Sequence, residues 1–74
     1  MELGNYIRKL RFENGEMTQQ ELADAVGVTR VTIYSVESGR FVPSCLLAMK
    51  IARVFGVSFD DVFYLKEEEQ DESR

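Results

Sequence analysis

At 74 residues, with nine bases against thirteen acids and 45% hydrophobic side chains, the chain has the makings of one small acidic domain, near the size at which a single core is marginal. One cysteine and no histidine exclude an internal disulfide and leave no basis for zinc chemistry or a cysteine-rich metal site. Residues 1–10 lack a basic region followed by an apolar run, and no apolar stretch approaches the roughly 20 residues that span a bilayer, so a soluble, cytoplasmic protein is expected.

The first predicted helix runs from about Gly4 to Asn14, because Leu3, Ile7, Leu10 and Asn14 recur at helical spacing. Gly15 ends it. The second begins at Thr18, whose hydroxyl can accept from the third helical amide while Glu21 reaches back, a capping box. Gly27 follows this helix, where the backbone must turn left-handed. A third helix begins at Thr29, another good N-cap. Ser38–Pro43 reads as a connector, with Gly39 as the stop and Pro43 barring helix continuation. Ser44 caps a fourth helix reaching about Phe55, with Leu47, Ile51, Val54 and Phe55 inward, and Gly56 ends it. Ser58 caps a short fifth helix, with Asp61 three residues on. Val62–Leu65 can extend as a strand and pair with Met1–Leu3. Lys66–Arg74 is expected to fray.

Gln19, Ala23, Gly27, Ile33 and Val36 together fit the spacing of two helices crossing closely about a tight turn. Ala23 is small where the helices meet. Ile33 and Val36 are three apart and pin the later helix on one face. At 100° per residue, Val31, Tyr34, Ser35 and Ser38 point outward, Thr29 points inward, and Arg30 and Thr32 lie on the flanks.

The chain resembles the Cro/cI-type, or XRE-type, helix-turn-helix domains of phage repressors and their small bacterial and archaeal relatives. The matching residues are Leu10–Arg11, Thr18–Ala23, Val26–Arg30, Thr32–Ile33, Glu37–Arg40, Pro43–Ser44, Lys50–Arg53 and Phe55–Ser58, which span nearly everything to Leu65. Glu16 departs from the pattern as an extra loop residue, which should be tolerated. The resemblance is greatest to stand-alone members. It implies an all-α, five-helix lambda-repressor-like DNA-binding domain over residues 1–65, with the C-terminal segment pairing as a short strand near the N-terminus. Residues 66–74 would then be an acidic tail.

Double-stranded DNA is the expected partner, and the charge distribution permits it. Residues 1–65 hold eight acids against seven bases, while 66–74 hold five acids against two bases, so the acidity is mostly the tail's. Local potential governs phosphate binding. In this fold the outward, N-terminal part of the third helix enters the major groove. Arg30 can bond guanine O6 and N7 in a fork, Val31 can meet a thymine methyl, and Thr32, Tyr34 and Ser35 can bond bases or phosphates. Thr29 belongs to the same candidate set. The resemblance implies base contacts at Arg30, Val31 and Ser35. It makes Gln19 a backbone-clamping residue with the amides of its helix start. Arg40 is a second phosphate candidate, and Arg8 and Lys9 are weaker ones.

Glu37 and Arg11 lie partly inward, and a carboxylate there needs a partner. The resemblance implies an Arg11–Glu37 ion pair, structural in role. Leu46 stands among Lys50 and Arg53 on an otherwise polar face, and Met49 borders it, which suggests a partner surface. With Val62, Phe63, Tyr64 and Leu65 they form the expected homodimer interface. Cys45 reads as a small buried apolar residue. Phe12 lies off its helix's stripe.

The expected function is a sequence-specific transcriptional regulator, a repressor acting as a homodimer on a pseudo-palindromic operator. The alternative is an antitoxin or other protein-interaction module on the same fold. An enzyme is not expected: there is no nucleophile–base pair and no metal cluster. No cofactor, small-molecule ligand or membrane partner is predicted.

Overall fold

Local capping sets most of the architecture. In the computed structural model, which describes residues 2–67, the elements run β1 (Glu2–Asn5), α1 (Ile7–Glu13), α2 (Gln19–Val26), α3 (Arg30–Glu37), α4 (Cys45–Phe55), α5 (Phe59–Val62) and β2 (Phe63–Lys66). The capping box at the head of α2 is present in both halves. Glu21 N donates to Thr18 Oγ1 at 3.0 Å, and Thr18 N donates to Glu21 Oε1 at 2.9 Å. Thr29 and Ser44 cap α3 and α4 by accepting from Thr32 N and Leu47 N. Asp61 accepts at Ser58 from both the amide and the hydroxyl. Gly27 takes φ 79°, a left-handed turn that any Cβ would strain.

Buried Ile7, Leu22, Ala23, Val26, Ile33 and Val36 join the first three helices, and Leu47, Ala48, Ile51, Ala52 and Phe55 close the core from α4. Val54, expected inward, is half-buried. The inner face of α4 instead turns toward Ala48 and Ala52, small residues that let α2 approach. Cys45 is exposed, against expectation. It stands one turn before Ala48, beyond the packed part of the helix, with its Sγ 3.9 Å from Met49 Sδ.

The N-terminal segment differs from the predicted helix. Glu2–Asn5 is a strand, antiparallel to β2, with Leu3 opposite Leu65 and Gly4 opposite Tyr64. The strand pairing near the N-terminus is therefore present, and α1 starts three residues later than the periodicity suggested. Lys66 belongs to β2 rather than to the tail, and its Nζ lies 3.8 Å from Glu2 Oε1. The rest of the predicted frayed segment, from residue 68 on, lies outside the described residues, as does Met1. Gly4 fits its strand for a steric reason. The Tyr64 ring lies where a Cβ would stand, and it stacks on Tyr6 at 4.7 Å between centroids.

The small sheet also holds the third helix. Asn5, at the end of β1, donates from Nδ2 to the Val36 carbonyl at 3.1 Å and more loosely to that of Glu37, while its Oδ1 accepts from Ile7 N at 3.0 Å. One side chain thus satisfies the open end of α3 and the start of α1. Asn5→Ala should cost about 1–2 kcal/mol, read by urea denaturation at unchanged m-value, since it orphans part-buried groups on two helices.

Candidate nucleic-acid interface

Two helices and one tight turn build the face. Ala23, fully buried, lets α3 cross α2 closely, and Gly27 makes the turn between them. Ile33 and Val36 anchor α3 from beneath. The opposite side of α3 is then forced outward. Val31 is 62% exposed and Tyr34 46% exposed, large apolar surface held in water. Arg30 and Ser38 are exposed beside them, while Thr32 and Ser35 are half-buried. Thr29 does not point inward as the helical wheel suggested. Its N-cap position lies outside the helix, and its exposed hydroxyl faces that of Thr32 at 3.1 Å. The Ser35 carbonyl accepts from Arg40 N and Phe41 N, at 2.9 and 3.2 Å, which folds the connector against the end of α3 and leaves the Arg40 side chain exposed.

Arg11 and Glu37 meet as the resemblance implied. Arg11 Nε donates to Glu37 Oε2 at 2.6 Å and NH2 donates to Oε1 at 3.1 Å, a bidentate pair with side chains 14% and 10% exposed. Arg11 NH1 donates to the Met17 carbonyl at 2.7 Å. The pair ties α1 to the end of α3.

Sequence reasoning missed what Gln19 does. Its Nε2 donates to Glu37 Oε1 at 3.2 Å, and its Oε1 accepts from Arg30 NH1 at 3.3 Å. Among the described residues only one N–H of the Gln19 amide is engaged, so the second is open to a further acceptor. Arg8 lies beside Gln19. It lines a shallow groove with Gln19, Tyr34, Glu37 and Ser38, next to the exposed face of α3. No local pattern marks either arrangement, because the first joins two helices and the second three.

A helix-turn-helix family model matches residues 7–62, the whole span from α1 to α5. The chain belongs to the XRE-type helix-turn-helix family. Among its relatives in that family is YgzD of Bacillus subtilis, described as an uncharacterized HTH-type transcriptional regulator, 45% identical over 86% of this chain and 96% of that one. An uncharacterized HTH-type transcriptional regulator of Archaeoglobus fulgidus is 53% identical over 78% of this chain and 82% of its own. A third, from Methanothermobacter thermautotrophicus, is 51% identical over 84% and 90%. As an XRE-type domain, the chain carries the architecture of DNA-binding regulators. No helix among the described residues is long and apolar enough to cross a membrane.

The expected dimer residues divide. Val62 and Phe63 are not spare surface: both are buried in the core of this XRE-type domain, because the β1–β2 pairing folds the end of α5 back over it. Leu46 and Met49 are 64% and 58% exposed, and Tyr64 and Leu65 are exposed as well. Phe41, Val42 and Phe59 add apolar surface that the sequence reading passed over, and Phe59 stacks on Phe63 at 5.1 Å. Phe41, an aromatic in a polar connector, was the available signal. Phe12 is exposed beside Arg8 and Lys9, and nothing in the fold explains it.

Proposed function

We propose that the chain is a sequence-specific DNA-binding regulator that acts as a repressor, two copies occupying a pseudo-palindromic operator. The observation that carries this reading is the exposed row Arg30, Val31 and Tyr34 on a helix whose other side is fixed by buried Ile33 and Val36. Such a row is costly as mere surface and chemically apt for base edges: Arg30 for guanine, Val31 for a thymine methyl, Tyr34 for a base or a phosphate. Gln19, Arg8 and Arg40 border it and supply phosphate contacts that set register. Thr29, Thr32 and Ser35 contribute less, since their side chains are engaged or half-buried. Occupying DNA that a polymerase must use suffices for repression, whereas activation needs a further contact.

Selection of bound sequences from random duplex DNA tests this directly. A single enriched motif with two-fold symmetry is expected, with half-sites about one helical turn apart. Arg30→Ala should then lose roughly 1–3 kcal/mol on that motif and relax one base position in each half. A variant that binds the motif as tightly as the parent would refute the assigned face. Co-purification of a stoichiometric protein partner, with no enriched motif, would favour the antitoxin reading.

A further inference from the structure

We propose that Glu37 is a positioning residue for base recognition, setting the direction in which Gln19 presents its amide to Arg30. This rests on Arg30 being a base-reading residue. The hydrogen bonds run in one direction. Arg11 has only donors and takes both oxygens of Glu37. A carboxylate has only acceptors, so the group of Gln19 that faces it must be the NH2. The Gln19 carbonyl oxygen therefore faces away from Glu37, and Arg30 NH1 donates to it. A guanidinium that reads guanine needs both ends of its fork aligned, and this contact fixes one of them. The half-buried pair below this face thus selects the amide orientation of Gln19 and through it the place of Arg30, with no hydrogen bond or ion pair between Glu37 and Arg30 among the described residues.

Glu37→Gln reverses the chain. Arg11 Nε, which makes the shorter of the two bonds, would hold the new carbonyl oxygen in the place of Oε2. The new NH2 would then stand in the place of Oε1, give up the Arg11 NH2 bond, face Gln19 and turn its amide over. Gln19 would then present NH2 to Arg30, donor against donor, and the guanidinium would leave its place. Gln19→Met removes the link at equal length. Neither change touches a base contact.

The test measures Kd on two duplexes that differ only at the base pair whose preference Arg30→Ala abolishes. The ratio of the two cancels any uniform loss of phosphate binding. Measurements are made below the melting temperature of every variant, with folding checked by circular dichroism. Glu37→Gln and Gln19→Met should each reduce the discrimination ratio about tenfold, and the double variant no further than either alone. Ile51→Val, a core change in α4 that also lowers thermal stability, should leave the ratio unchanged. Glu37→Gln with full discrimination would overturn the proposal, and so would losses that multiply in the double variant. A parent with no base preference dependent on Arg30 would instead refute the reading-face assignment, and the proposal with it.

Discussion

Glu37→Ala and Arg11→Ala are each expected to lower stability by about 3 kcal/mol, which for a domain of this size is roughly 15 °C in melting temperature. The effect is large because of what each truncation leaves behind. Without Glu37, the Arg11 guanidinium keeps only the Met17 carbonyl as a partner. Without Arg11, a carboxylate 10% exposed is left with one neutral donor, Gln19 Nε2. An uncompensated charge at that depth costs more than the pair contributes when intact. The double variant removes both charges and should therefore lose clearly less than the sum, with a coupling of about 1–3 kcal/mol. Thermal unfolding of the four proteins measures this. Additive losses would mean that the contacts of 2.6 and 3.1 Å carry no coupling.

The elements that sequence reading placed well are those whose signals are local. Thr18 with Glu21, Thr29, Ser44 and Gly27 specify helix ends within four residues, and each does so in the structure. The five-helix fold follows from the same kind of signal together with the resemblance, whereas the strand pairing near the N-terminus rested on the surplus apolar run Val62–Leu65. The errors arise where the deciding contact is distant. Leu3 and Ile7 share a helical period, yet Leu3 lies in a strand because Leu65 pairs with it. Val62 and Phe63 looked like surplus apolar surface until that pairing carried them over the core. Ala48 and Ala52 gave no hydrophobic signal because their small size is their contribution. The exposed face of α3 was legible in the helical period, since one anchored side fixes the other. The bonds from Glu37 through Gln19 to Arg30 were not legible, because they join α2 to both ends of α3.

A dimer of the intact chain should dissociate when Leu46 becomes Glu. One reading helix covers only a few base pairs, too few to single out a site in a genome, and two copies about a dyad double the recognised length. The exposed Leu46 and Met49 line one groove with Phe59 and Val57, flanked by Lys50 and Arg53. The apolar floor of this groove, on a chain this short, can be covered by a second copy of the same surface, with the Lys50 and Arg53 heads left in water at the rim. In an isologous contact each groove residue meets its own kind or a neighbour across the axis. Leu46→Glu then brings two carboxylates together in a desolvating interface, where they cannot both remain charged without loss. In the monomer the same Glu sits one turn before Lys50, can pair with it, and stays in water, so folding should be unaffected. Operator affinity should fall by at least 100-fold, because each half-site must then be held by one weak monomer contact. Sedimentation equilibrium at micromolar concentration decides the matter without DNA. A parent that sediments as a monomer would refute the dimer, and a Leu46→Glu variant that still dimerises fully would remove this groove as its interface.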